Sequence, residues 1–367
     1  MSSLAFSVPF NGDPALLDIF SHINKVSNAS IREVFLSGPI EHCPSGRIAY
    51  NGNLEMFAET VKRIHSMGMH VNLVMNSTCE GTTWYSDGAF SYLHDFVSYM
   101  TDDLGIEAIT VANPLIMAQV HSWFPQVELC ASVLGNVDCV ERAQAFKKAG
   151  ASVITPDTSI NRDLTMLQRI VSETGVKLKL MVNEGCLRKC PFRSFHFNAV
   201  SHIQGSTSRV GRGLSKEQFK QQCDKVAGEL FFASCNSILK DDHSQLLKSE
   251  WIRPEDLHHY AHITSYFKIS GRTVATQAVK RMVQAYTNES YSGDLLDIMD
   301  SSLRVFSMSE GARIDNMRLG ETRFFETVTT CNHSCSSCGY CTDLAAKVVT
   351  FDGEQRIKQA DRNFFGK

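Results

Sequence analysis

NLEMFAETVKRIHSMGMHVNLVMN, residues 53–76, is the stretch whose reading decides the fold. Its first part carries Leu54, Phe57, Ala58, Val61 and Ile64 at helical spacing, so one face of a helix is apolar. Gly68 suits the left-handed position after the last helical turn. VNLVMN (71–76) follows at once and has the branched, apolar character of a buried strand. The same rhythm recurs along the chain. AFSVP (5–9), EVFLSG (33–38), IEAITVAN (106–113), VELCASV (127–133), SVITP (152–156) and VKLKLMVN (176–183) read as further strands. A helix carrying Val140, Ala143 and Phe146, capped by Asp138, stops at Gly150; another with Leu164, Leu167 and Val171 stops at Gly175. YFKISG (266–271) reads as an eighth strand, followed by a helix that turns Val274, Ala278, Val279 and Met282 inward.

Repeated strand–helix units imply a parallel sheet, and eight of them imply a closed TIM-type (β/α)8 barrel. An open doubly wound sheet is the alternative; the first strand–helix turn lacks GxGxxG, which counts against dinucleotide binding. The expected organisation is a barrel over residues 1–290, with a long insertion at 184–252 between strands seven and eight, and a Cys-rich C-terminal extension over 291–367 packed on it. Within the insertion, IQGSTSRVGRGLS (203–215) reads as a loop and a helix is expected around 216–240. In WIRPEDL (251–257), Pro254 begins a helix with Glu255 and Asp256 in its first turn.

The chain has 367 residues, 43% of them hydrophobic and 20% charged, with a formal net charge of −3. These are globular values, and the charge balance does not announce a nucleic-acid binder. No apolar run approaches the ~18 residues that span a bilayer. A soluble, cytoplasmic protein without a membrane partner is expected. Twelve cysteines are many for such a chain, and a reducing compartment argues against structural disulfides.

The chemistry of a barrel gathers where its strands end. Asn76, Asn113, Asp157, Asn183 and Glu184 lie at such ends; strand eight carries Lys268 and is followed by Arg272. For Asn76, Asn113 and Asp157 the plainer reading is turn formation or helix capping. At the same rim stands NEGCLRKCPFRSFH (183–196), with Cys186 and Cys190. These thiols admit three readings: a nucleophilic Cys–His pair with His196, a zinc site, or an iron–sulfur site. Cys223 and Cys235 are the nearest further thiols, with Cys43 a more distant one. The tail CNHSCSSCGYC places Cys331, Cys335, Cys338 and Cys341 within eleven residues. The C-x2-C-x2-C part is ferredoxin-like, and four thiols so close suit a cluster better than one tetrahedral zinc. The first three also match radical S-adenosylmethionine enzymes, but that motif belongs after a first barrel strand.

The joined pattern NEGC-x3-CPFR-x2-H, Cys235, WIRPEDL and FKISGRT (267–273) resembles the collagenase-like peptidase family U32. The resemblance implies a 4Fe–4S cluster on a barrel, a second cluster being an open question, with zinc less favoured. It further implies oxygen-independent hydroxylation of a ring in ubiquinone precursors or of a pyrimidine in RNA, with prephenate an oxygen source in some relatives; other relatives are called proteases. Carried over, Cys186, Cys190 and Cys235 match the cluster-type cysteines; the fourth ligand does not map cleanly, with Cys223 the expected one and Cys43 or a tail cysteine behind it. The hydroxylases space their cysteines differently, which assigns this chain to another branch and leaves its substrate open. In this setting Arg188, Lys189 and Arg193 would offset the charge of a thiolate cluster. Arg193, Arg253, Lys268 and Arg272 would grip a carboxylate, and Glu184 and His196 would move protons.

The reading is therefore an iron–sulfur enzyme for oxygen-independent hydroxylation or related tailoring, which would favour anaerobic handling. A small-molecule substrate is favoured over RNA; the basic loop around Arg209 and Arg212 is the feature that would favour RNA. The alternatives are a peptidase, disfavoured because the chain has no HExxH and no clear Cys–His–Asn set, and a non-catalytic cluster-bearing subunit working with a related partner chain.

Overall fold

A computed structural model describes residues 3–39, 43, 45–46, 52–79, 88–205, 221, 233–335 and 337–351. Its centre is one parallel sheet: β1 (Ala5–Pro9), β2 (Ser30–Leu36), β3 (His70–Met75), β4 (Ala108–Val111), β5 (Glu128–Ala131), β6 (Val153–Ile154), β7 (Lys177–Leu178), β8 (Leu180–Met181) and β9 (Tyr266–Lys268). Each strand from β1 to β6 pairs with the next in sequence; β1 also pairs with β9, and β9 with β8. Only Lys179 separates β7 from β8, so these two are segments of a single seventh strand. That strand bonds β6 through one segment and β9 through the other, which closes the ring. The expected eight-stranded barrel is found, and the open sheet is not.

Seven helices follow in step: α1 (Ala15–Val26), α2 (Leu54–Ser66), α3 (Ala89–Ser98), α4 (Pro114–Trp123), α5 (Val140–Lys148), α6 (Leu164–Thr174) and α7 (Arg193–Gly205). The helix Thr276–Thr287 completes the eighth unit. In α2, Phe57, Val61 and Ile64 are buried, and the Asn53 side chain accepts from the Met56 amide at its start. That pairing satisfies a donor the helix itself cannot. Gly68 and Gly175 take φ +74 and +71, the conformation their positions require. Asn113 caps α4 ahead of Pro114, and Asp157 caps the short turn Thr158–Ile160. Asp138 departs from expectation. Cys139 occupies the cap position of α5, while the Asp138 carboxylate accepts from Arg142 and Lys189 instead. Two long cations within reach offset more of its charge than one amide would.

The seventh and eighth strands are fastened at their mouth ends by Asn183. Its amide donates to the carbonyls of Ser270 and Ile298, and its carbonyl accepts from the Ser270 amide at 2.7 Å. Beyond it, the backbone of 183–185 bonds to Asp300 and Leu303. A Cβ on Gly185 would sit 2.7 Å from Leu303, so this contact needs glycine. WIRPEDL serves the same joint. Trp251 is buried and stacks on Phe324, with Arg162 over both rings. Pro254–Tyr260 forms a 3₁₀ helix. The C-terminal region adds the helix Ser301–Glu310 and a two-stranded antiparallel pair, β10 (Ala312–Ile314) with β11 (Val349–Phe351). Among the described residues, no helix is long and apolar enough to cross a membrane. Cys223, Arg209, Arg212 and most of the helix expected at 216–240 lie outside the described residues; Ala233–Asp241 is helical.

Candidate active site at the barrel mouth

The barrel interior is polar at its floor. Ser7 on β1 donates to Glu33 at 2.5 Å, Asn72 on β3 reaches both Glu33 oxygens at 3.2 Å, and Thr110 on β4 donates to Asn72. Lys179 completes the set with a 2.5 Å ion pair to Glu33, both side chains being buried. Burial works to raise the Glu33 pKa, but the Lys179 charge and these hydrogen bonds hold it down at about 2.

One level above, at the strand ends, the barrel opens into a pocket. Phe35, Val74, Leu134, Met181 and Phe197 supply apolar walls. Asn76, Ser132, Glu184, Lys268, Arg272 and Asp300 supply the polar groups. Asn76 is braced by Ser132, Ser45 and the Gly46 amide. The Lys268 ammonium lies 3.9 Å from the centre of the Phe35 ring. Burial, then the nearby Lys179, lower its pKa to about 7, against the attraction of Cys130 and Glu33; Arg272 adds to the lowering. Arg272 is itself buried and reaches Ser45.

A second recess adjoins, lined by Cys186, Arg188, Lys189, Cys190, Arg193 and residues 157–159. Glu184 and Arg193 pair here, with contacts of 3.0 and 3.3 Å, and Asp157 stands 3.6 Å from the same guanidinium. Both residues expected to act on a substrate are thus engaged with each other. Cys186 Sγ lies 3.9 Å from Glu184. Cys235, on the helix Ala233–Asp241, is buried and in hydrogen-bonding contact with Cys190. That contact, the Phe192 and Arg193 amides and the Arg193 charge hold the Cys190 pKa down at about 6, against burial. The Cys235 thiol is pushed up, first by Cys190 and then by burial. The two thiols thus shift each other in opposite directions, Cys190 down and Cys235 up.

The three thiols come from two separate chain segments to one wall of the barrel mouth, beside three cations. Soft sulfur donors with compensating positive charge are the donor chemistry that an iron–sulfur group would require. Among the described residues, no set of three or more His, Cys, Asp or Glu side chains stands close enough together to hold a metal ion. Cys43 donates its thiol to the Val74 carbonyl at 3.3 Å in the core, away from this wall.

A third recess, behind the second, holds Cys331, Cys335, Cys341 and His333 with Arg162, Arg188 and Lys248. Cys335 and Cys338 are exposed. Both cysteine recesses share the Arg188–Glu250 ion pair as a wall. His196 lies on α7, its ring stacked on Phe197. Arg253 does not reach the pocket. It is buried against Asn316 and the carboxylates of Glu255 and Asp256, which makes it a brace of the fold and corrects its expected role in gripping a substrate. Reading along the chain also missed Asp300, Ser132 and the Glu33–Lys179 pair. Inward-pointing charges within the runs 33–38 and 176–183 were the available signal for that pair.

The model of peptidase family U32 matches residues 20–291. The chain is 28% identical over 354 residues to the uncharacterized protease MJ1657 of Methanocaldococcus jannaschii, covering 94% of this chain and 98% of the relative. A solved U32 peptidase, Mk0906, is 21% identical with a TM-score of 0.48, over 59% of this chain and 83% of that one.

Proposed function

The chain belongs to peptidase family U32, and from that premise we propose an iron–sulfur-dependent enzyme that carries out oxygen-independent hydroxylation or a related tailoring of a small carboxylate-bearing molecule. The observation that carries this reading is the convergence of Cys186, Cys190 and Cys235 on the wall beside the barrel-mouth pocket. These three would hold the cluster, with Cys223 as the fourth donor. When bound, such a group supplies one-electron chemistry without oxygen. Arg188, Lys189 and Arg193 offset the negative charge of the thiolates. Glu184 holds Arg193 in place through two hydrogen bonds. Arg272 orients the substrate carboxylate with Lys268 beside it, and the walls of Phe35, Leu134 and Phe197 exclude water from it.

The peptidase reading draws support from the name of the archaeal relative and from the lowered pKa of Cys190, which suits a nucleophile. Its weakness is that the partner of Cys190 is another thiol, where a cysteine protease needs an imidazole. The tail cysteines are a candidate second cluster site, through Cys331, Cys335, Cys338 and Cys341. A small molecule remains favoured over RNA, since the donors of the pocket, Lys268 and Arg272, suit a single carboxylate.

Anaerobic purification followed by iron, sulfide and zinc analysis tests the reading. Wild type is expected to carry iron and sulfide, and Cys186→Ala to lose them from the barrel mouth. Zinc in place of iron, or iron retained in full by both Cys186→Ala and Cys335→Ala, overturns it. Loss from Cys186→Ala alone restricts the cluster to the barrel mouth.

A further inference from the structure

We propose that Lys268 is a nucleophilic lysine, forming a Schiff base with the carbonyl of a small oxo acid whose carboxylate rests against Arg272. The inference shares the pocket of the preceding reading but needs none of its cysteines.

Its basis is the contrast between two buried lysines. Lys179 has Glu33 at 2.5 Å and is spent on structure. The Glu33 oxygens are already taken by Ser7, Lys179 and Asn72. Lys268, nearby on β9, has no carboxylate within ion-pair distance among the described residues; its amine lies 3.9 Å from the centre of the Phe35 ring. It is buried, and it lines the pocket. A buried amine without a counter-ion, pressed by a second lysine, favours its neutral form, and its pKa is accordingly near 7. That is the state in which an amine is a nucleophile. Position along the chain adds the second half. Arg272 lies four residues on and lines the same pocket, so a carboxylate beside the reacting carbonyl finds a planar guanidinium. Asn76 and Ser132, hydrogen-bonded to each other, furnish further donors.

In the step itself, the Nζ lone pair adds to the carbonyl carbon and a C–N bond forms. One proton passes from nitrogen to oxygen, giving a carbinolamine. The hydroxyl then leaves as water with a second proton, and a C=N bond remains. No electrons enter or leave. Asp300 lines the same pocket, and a carboxylate there can relay the proton from nitrogen to oxygen.

The test uses the full-length protein, pyruvate as probe and sodium cyanoborohydride as trap, near neutral pH, with peptide mapping by mass spectrometry. The reduced adduct is expected on Lys268 in about tenfold or greater excess over any other lysine. Arg272→Met should cut labelling by pyruvate by a larger factor than labelling by propanal, which lacks a carboxylate but also meets a lysine that has lost the lowering influence of Arg272. Lys268→Arg, with folding checked by circular dichroism, should abolish the adduct. Adducts distributed over exposed lysines with Lys268 unmodified overturn the proposal. So does equal labelling by pyruvate in wild type and Arg272→Met, which removes the oxo-acid assignment. Iron analysis on the same preparation scores the cluster reading separately.

Discussion

The floor and the mouth of the barrel carry the same kinds of residue and use them in opposite ways. At the floor, Lys179 and Glu33 neutralise each other within a set of hydrogen bonds that leaves neither partner exposed. At the mouth, Lys268 faces a pocket with an aromatic ring as its nearest support. The lesson is that a buried charge is structural where its partners are complete and chemical where they are not. The largest expected effect breaks the floor. Lys179→Met leaves Glu33 buried and uncompensated, which should cost about 3–5 kcal/mol in denaturant unfolding. Lys179→Met with Glu33→Leu should recover most of that loss. If the double variant is no more stable than the single one, the floor is not an isolated pair.

The mouth predicts the opposite sign. Folded Lys268 titrates near 7, against an ordinary value of 10.5. Below about 7 the lysine is charged in both the folded and unfolded states, and the folded state bears the burial penalty. Between 7 and 10.5 the unfolded chain binds a proton that the folded chain does not, so stability rises with pH across that window. The groups facing it are Lys179, Cys130, Glu33 and Arg272, so the comparison is with Lys268→Met. That variant should be more stable than wild type at pH about 6, by an amount on the order of a few kcal/mol, and the advantage should fade as pH rises. An advantage that is flat with pH would mean Lys268 is not forced to carry a buried charge.

A third, smaller effect tests the joint that positions the mouth. Gly185→Ala places a Cβ 2.7 Å from Leu303. The helix Ser301–Glu310 must then move, at about 1–3 kcal/mol. Because Asp300 lines the pocket, the variant should also weaken binding there, whereas the floor should be unaffected. Equal binding in wild type and variant would uncouple the joint from the site.

Much of this was legible along the chain. The eight strands were visible as apolar runs because every one is buried on both faces of a barrel, and the helices because their apolar stripes repeat at helical spacing. Gly68 and Gly175 were readable because few residues other than glycine take a positive φ without strain. The motifs were harder. NEGC and FKISGR were visible as partners, but the reason they go together, the Asn183 clasp onto Ser270, is a contact across 87 positions that no local pattern encodes. WIRPEDL drew attention through Arg253, yet that guanidinium braces Asn316. A sequence shows that an arginine is present and not which acceptor reaches it first. The pairing of Glu184 with Arg193 was hidden for the same reason, although nine residues separate them.

The smallest predicted effect lies at the rim, where the contrast between complete and incomplete partnerships is weakest. Asp138 bridges Arg142 on the helix that follows it and Lys189 in the cysteine loop, with both cations about half exposed and Asp138 partly so. Exposed pairs contribute about 0–1 kcal/mol, so Asp138→Ala should leave stability within that range. Lys189 sits at φ +47 inside the loop that carries Cys186 and Cys190. If the ion pair with Asp138 were what holds that conformation, Asp138→Ala would free the loop and lower iron retention under anaerobic purification. The buried pair behind the loop argues otherwise. Arg188 reaches Glu250 at 2.5 Å, and Ser249 donates to the Cys186 carbonyl at 2.6 Å. These tie the loop from beneath, in the more protected position. Asp138→Ala should therefore retain iron as wild type does, whereas Glu250→Ala should lose it; the reverse order would move the anchor of the cysteine loop from the interior to the rim.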